Sequence, residues 1–273
     1  MVTRDAGRMS EAPRPDWNAA VYDRIGTPMR GWAQQGIDDL ELRGDETVLD
    51  AGCGSGSVTL DLLEKLPDGK IYAVDSSPDM IANLKKELAG RGITNVVALN
   101  ASLTNFTLPE KVDAVFSNAV FHWVPDDDGL FGSLARATKP GGRLRAQCGG
   151  AGNIARLREA THDVEKRAPY CEHLSGDSEF RKYRTVEKAR TAMERNGWRD
   201  VRGNLLKAPV TFEDDKAAVL YLRTIILQHQ AAALPEELSD GFLRDVIAET
   251  VERFGAPFSA DYVRLNLWAT RAG

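Results

Sequence analysis

The chain has 273 residues, 42% hydrophobic and 27% charged, with a net charge of −5. That is the composition of an ordinary globular protein of one large domain, or of one domain with a smaller cap. The acidic balance argues against a nucleic-acid partner, which wants a basic face. Cys53, Cys148 and Cys171 form no zinc-type spacing, so neither a disulfide framework nor a metal site is expected.

Residues 1–15 are polar and proline-containing and read as a flexible tail, without the apolar core of a signal peptide. No segment has the length and apolarity of a membrane span, so the expectation is a cytoplasmic protein with no membrane partner. Residues 16–46 alternate helical stretches with breakers at Gly26, Pro28, Gly31 and Gly36, the pattern of a small helical lid.

From residue 47 the pattern becomes regular. Val48-Leu49, Ile71–Val74, Val96–Leu99, Ala114–Phe116 and Leu144–Cys148 read as short buried strands. Val58, Leu62 and Leu66 recur at helical spacing, and Pro67-Asp68-Gly69 stops them. Ser76-Ser77-Pro78-Asp79 supplies a serine cap, a proline at the first turn and an acid for the next helix. A further helix over 126–138 ends at Lys139-Pro140-Gly141-Gly142. Strands alternating with amphipathic helices imply parallel pairing, hence a Rossmann-like, doubly wound, mostly parallel α/β sheet.

Beyond Gly149 the pattern loosens. Helices are expected over 152–168, 185–196, 213–228 and 236–254, with strands over Val201–Val210 and Tyr262–Ala269. Residues 47–148 therefore form a ligand-binding core. Residues 149–273 complete the sheet, expected to be seven-stranded, and add cap segments at about 149–184 and 212–258. Such insertions commonly select a substrate.

The most specific stretch is VLDAGCGSG, residues 48–56. Gly52, Gly54 and Gly56 allow a tight turn and close approach of a ligand to backbone N–H groups, and the next helix points its N-terminus there. Asp50 ends the first strand, and Asp75 ends the second, where a carboxylate can accept from ribose hydroxyls. This constellation points to a nucleoside-containing ligand. In the dinucleotide spacing G-x-G-x-x-G the third glycine would fall at Ser57; it falls at Gly56 instead. That departure, with the acid at Asp50, favours a ligand bearing an ammonium and one ribose and no pyrophosphate. S-adenosylmethionine (SAM) meets that description. An NAD-dependent oxidoreductase is the weaker alternative.

VLDAGCGSG, AVDSSPDMI, DAVFSNAVFHWVPD and KPGG, in this order and spacing, resemble the class I SAM-dependent methyltransferases. DWNAAVY (16–22) and FSNAVFHWVPD (116–126) are most similar to the trans-aconitate methyltransferase group and its natural-product relatives. Those relatives include enzymes that C-methylate prenyl chains of terpenoid indole alkaloids. The resemblance implies that Asp50, Gly52 and Gly54 hold the methionine portion of the cofactor and Asp75 its ribose. By the same likeness Ser76 and Met80 flank the adenine, and Asn118 and Ala119 meet the amino-acid end. Phe121, His122 and Trp123 wall the site, while Tyr22, with Trp17 beside it, closes over the cofactor. One departure stands out: family members often place an aspartate after the third strand to accept from the adenine amino group. Here the stretch is Leu99-Asn100-Ala101-Ser102, so Asn100 or Ser102 would have to accept instead.

Methyl transfer from SAM would leave S-adenosylhomocysteine (SAH). His122 and Tyr22 are the candidate catalytic residues, His122 as a base or as a group that shapes the pocket. For a small-molecule acceptor two chemistries compete, and the reading leans to the first. Phe180, Tyr183, Leu220 and Ile225-Ile226 favour a lipophilic secondary metabolite, such as a prenyl chain. Arg156, Arg158, Arg181 and Arg184 would suit a carboxylate, as in the trans-aconitate enzymes. A non-catalytic SAM-binding protein is the third reading. Ser117-Asn118-Ala119-Val120 lacks the N/D-P-P-aromatic motif of amino-methylating nucleic-acid enzymes. An N-terminal arm exchanged between subunits would make a homo-oligomer.

Overall fold

The computed structural model describes residues 27–174 and 181–273. The tail, Trp17, Tyr22 and Phe180 lie outside the described residues. In chain order the elements are α1 (Thr27–Asp38), β1 (Thr47–Ala51), α2 (Ser57–Leu63), β2 (Lys70–Asp75), α3 (Pro78–Gly90), β3 (Val96–Asn100) and β4 (Val112–Asn118). A 3₁₀ turn (Phe121–Trp123) leads to α4 (Asp127–Ala137), β5 (Thr138–Gly149), α5 (Ala155–Glu165), α6 (Val186–Arg195), β6 (Trp198–Lys207) and β7 (Val210–Thr211). The chain ends with α7 (Asp215–Tyr221), a π-turn (Leu222–Ile226), α8 (Gln228–Ala233), α9 (Glu236–Phe254), β8 (Ser259–Ala260) and β9 (Val263–Arg271).

Seven strands form one sheet in the order β3-β2-β1-β4-β5-β9-β6. All pairs are parallel except those of β9, which runs antiparallel to both β5 and β6. The doubly wound, mostly parallel expectation therefore holds. Successive residues of the central strands bury opposite faces. Leu49 and Tyr72 pack with Phe131 and Leu134 of α4, whereas Val48 and Ile71 pack with Ile37 of α1 and Leu84 of α3. Helices on both faces are what buries a parallel sheet.

The order of β1 and β4 about the chain's first crossover opens a crevice at the carboxyl ends of these strands, where ligands of such sheets bind. Ser77 caps α3 as its sequence predicts, its Oγ accepting from Met80 N–H at 3.3 Å. A third core joins Leu157 and Val164 of α5 to Leu222, Phe242, Val246 and Phe258. Two segments distant in sequence thus share this core.

Three elements differ from their expected form. β5 begins at Thr138, because Lys139-Pro140-Gly141-Gly142 bulges out of the β4 pairing between Val112↔Thr138 and Ala114↔Arg143 and does not end the strand. The strand expected over 201–210 runs from Trp198 to Lys207 and is followed by a separate β7. The helix expected over 213–228 is split, since the N–H of Leu227 reaches the carbonyl of Leu222, five residues back, at 2.7 Å.

Candidate active site

The glycine turn sits between β1 and α2. Gly52, Gly54 and Gly56 all have positive φ, but their missing side chains do different work. A Cβ on Gly52 would lie 2.3 Å from Val120 and one on Gly56 would lie 2.3 Å from Leu84, so both are demanded by packing. Among the described residues, a Cβ on Gly54 meets nothing within 4 Å. Gly54 therefore borders the open crevice, where a ligand can approach its backbone.

Asp75 organises this edge. One carboxylate oxygen accepts from Gly54 N–H at 3.0 Å and the other from Ser77 N–H at 2.8 Å. A carboxylate has about four lone-pair sites, so acceptor capacity remains for hydroxyls. Asn100 donates from Nδ2 to the Asp75 carbonyl at 3.0 Å, which leaves its Oδ1 as an acceptor at the rim. The Ser102 hydroxyl shares a 2.9 Å hydrogen bond with Thr104, and Ala101 N–H donates to the Asp75 carbonyl. Ser76 is exposed at the start of α3, and Met80 is buried in its first turn.

Asp50 is buried and accepts from the Thr59 hydroxyl at 2.7 Å. Burial, reinforced by the charge of Asp75 and opposed by the Thr59 bond, pushes its carboxyl up to about 7. A cation placed nearby would return it to the charged form. The donor and acceptor set thus fits SAM: open backbone at Gly54, acceptors at Asp75 and Asn100, and a buried carboxylate awaiting positive charge.

Across the crevice, β4 ends at Asn118 and Ala119. Ala119 has φ of 60° and donates its N–H to the Gln147 carbonyl at 2.7 Å. A non-glycine residue in this region stores strain, as occurs at ligand sites. His122 and Trp123 follow in the 3₁₀ turn. The turn is fixed by buried Arg184, which donates to the carbonyls of Phe121 and Val124 and pairs with Asp127. Arg184 is therefore structural.

His122 is 8% exposed and accepts at Nδ1 from Gly149 N–H at 3.2 Å. Its ring packs between Trp123 and Tyr183, with centroid distances of 5.3 and 5.9 Å. Burial first, then the guanidiniums of Arg264, Arg181 and Arg184, hold it well below the usual histidine range. The ring is neutral at pH 7. Because Nδ1 is an acceptor, the proton resides on Nε2.

Beside His122 lies a small chamber of about 40 Å³ whose lining includes Ala119, His122, Arg181, Tyr183, Tyr262 and Arg264. It adjoins a cavity of about 550 Å³ under α5 and the π-turn. Arg181 donates to the Ile226 carbonyl at 2.6 Å and lies 4.7 Å over the Trp123 ring. Arg264 is buried, donates to Gln147 Oε1 at 2.9 and 3.1 Å, and lies 4.5 Å over Trp32.

Of the four arginines singled out in the sequence, Arg181 and Arg158 line these spaces. Arg156 instead stacks on Phe254. Tyr183 lines the small chamber, whereas Tyr170 is tied to Asp245 and Tyr221 to Tyr262. Arg264 and Tyr262 escaped sequence reasoning. The available signal was a charged residue at the start of the VRLNLWA strand, on the same face as Asn266.

Residues 48–142 match a family model described as "Methyltransferase domain". The chain is 30% identical over 170 residues to the trans-aconitate 2-methyltransferase of Rhodopseudomonas palustris, covering 61% of this chain and 62% of the relative. It is 29% identical over 165 residues to malonyl-[acyl-carrier protein] O-methyltransferase 2 of Ilyobacter polytropus, covering 60% and 63%. The chain thus spans less than two thirds of the length of these relatives. Among solved structures, the YcgJ protein of Bacillus subtilis superposes with a TM-score of 0.63 at 15% identity, covering 91% of this chain and 99% of that one. Over the residues that build the crevice, 48–142, the chain therefore carries a methyltransferase domain.

Proposed function

We propose that this protein transfers the methyl group of SAM to the carboxylate of a small-molecule acceptor. The observation that carries the reading is the pairing of two features across one edge of the sheet. On one side are Gly54, Asp75 and Asn100, disposed for the adenosine, with Asp50 near the ammonium. On the other is a chamber whose walls carry Arg181, Arg264 and a neutral His122. Of the sequence relatives, one is named for trans-aconitate, a carboxylate, and the other for a malonyl group carried on acyl-carrier protein.

Bound in the crevice, SAM supplies a methyl made electrophilic by its sulfonium. Everything else falls to the chain. Arg181 and Arg264 hold an anionic oxygen, and His122 donates to it from Nε2. Holding the reacting atoms in line at about 3–3.5 Å can lower the barrier by ~7–11 kcal/mol. A carboxylate has no proton to lose, so no base is required. This suits a histidine whose Nδ1 is occupied and whose Nε2 carries the proton; we assign His122 to positioning. Tyr22 and Trp17 remain candidates for closing over the cofactor.

The apolar wall of Ile154, Leu157, Ile226 and Leu227 supports a second reading, a lipophilic acceptor methylated at carbon. One experiment separates them. The protein is incubated with methyl-labelled SAM and panels of carboxylic acids and prenyl compounds, and the product is treated with mild alkali. A methyl ester releases its label as methanol, whereas a C-methyl group does not. Tight SAH binding with no transfer to any panel member would favour a non-catalytic SAM-binding protein.

A further inference from the structure

We infer that the acceptor is bipolar: a carboxylic acid whose far end carries a cationic amine, read by Glu165. The inference rests on the carboxylate reading above and extends it to the larger cavity. The two chambers share Trp123, Ile154, Arg181 and Ile226, which form a neck between them. The inner chamber, at about 40 Å³, has room for little more than one reacting group, so the rest of the acceptor must pass the neck into the cavity of about 550 Å³.

The chemistry of that outer cavity is asymmetric. Glu165 lines it and is 6% exposed. Its partners among the described residues are the Gln230 amide, donating at 3.2 Å, and His162, 3.9 Å away and largely solvated. Among the described residues no lysine or arginine is paired with it, although a buried carboxylate is costly without a countercharge. Glu165 is also the last residue of α5, where the helix dipole is negative and disfavours an acid. Glu159, the other acid of this wall, is neutralised by Arg253. Positive charge lies instead toward the neck, on Arg181 and on Arg158, whose guanidinium sits 5.7 Å over the ring of Tyr183 in the inner chamber. A ligand that is anionic at the neck and cationic beyond it complements both ends, whereas a second carboxylate near Glu165 is repelled.

The test uses the full chain saturated with SAH and titrated by calorimetry with ω-amino acids of increasing chain length. Monocarboxylates, dicarboxylates and alkylamines of matching length are titrated beside them. The best amino acid should bind on the order of thirtyfold more tightly than its monocarboxylate and dicarboxylate counterparts. Glu165→Gln should abolish that advantage while leaving SAH affinity unchanged. Equal binding of amino acids and monocarboxylates by the wild-type protein would overturn the inference and leave the carboxylate reading intact. Alkylamines binding as tightly as amino acids would overturn the carboxylate reading itself. The wild-type comparison decides without the variant.

Discussion

The N–H of Gly149, at the end of β5, donates to Nδ1 of His122, in the turn after β4, at 3.2 Å. This one bond sets the direction in which the imidazole can work. With Nδ1 occupied and three guanidiniums depressing its proton affinity, His122 presents an N–H to the chamber. Nitrogen NMR should show a neutral Nε2–H tautomer throughout about pH 6–8, where a free histidine of pKa near 6.5 would titrate. A ring that protonates near pH 6.5 would refute the assignment. The kcat/KM profile should lack an acid limb in this range, and His122→Gln, which keeps an N–H donor, should retain more activity than His122→Ala.

The glycines of the turn should separate by experiment. Gly52→Ala drives a methyl group into Val120 and should cost several kcal/mol, since over-packing adds about 1–3 kcal/mol to the positive-φ penalty of about 1–2 kcal/mol. Gly54→Ala meets no described atom within 4 Å and should cost only the positive-φ penalty of about 1–2 kcal/mol. Its SAH affinity should nevertheless fall at least about tenfold, or 1.4 kcal/mol. Thermal melts and calorimetry on the two variants check this; a Gly54→Ala protein with unchanged SAH affinity would remove that glycine from the ligand.

Asp50 makes stability depend on pH. Its folded-state pKa of about 7 lies above the ordinary 3.8, so between these values the native protein holds more protons than the unfolded chain. Its contribution to stability is complete below about pH 4 and is lost as pH rises through about 7. Asp50→Asn should flatten the fall in stability between about pH 4 and 7 seen in urea unfolding. SAM, bringing an ammonium, should bind with release of a proton near pH 7, measurable by calorimetry in buffers of different ionisation enthalpy. A proton count of zero would argue against Asp50 facing the cofactor.

Arg184 is predicted to matter for the fold and little for ligands. Arg184→Met leaves two turn carbonyls without their partner and Asp127 with Lys182 alone, and breaking a buried pair typically costs about 3–5 kcal/mol. Chemical denaturation should register that loss, while SAH affinity of the folded fraction stays within about twofold.

The core of the sheet was readable because each element announces itself locally. β1, the glycine turn, the Ser77 cap and the inner face of α3 follow from neighbours in sequence. β5 was misjudged at its start because Lys139-Pro140-Gly141-Gly142 carries the same residues whether a chain stops or bulges. The acceptor side was harder to read. Arg264 lies 146 positions from Asn118, and only the antiparallel insertion of β9 beside β5 brings it to Gln147. The π-turn that aims the Ile226 carbonyl at Arg181 has no signature in local propensity. Sequence alone therefore weighted the aromatic and aliphatic residues of the cap more heavily than its dispersed arginines.

The most direct measurement is a crystal structure with SAH and a carboxylic acid acceptor bound. It should show adenosine density against Gly54 and Asp75, the sulfur facing the chamber by Ala119, and the acid between Arg181, Arg264 and Nε2 of His122. Cofactor density elsewhere, or an acceptor whose carboxylate points away from both arginines, would contradict the account.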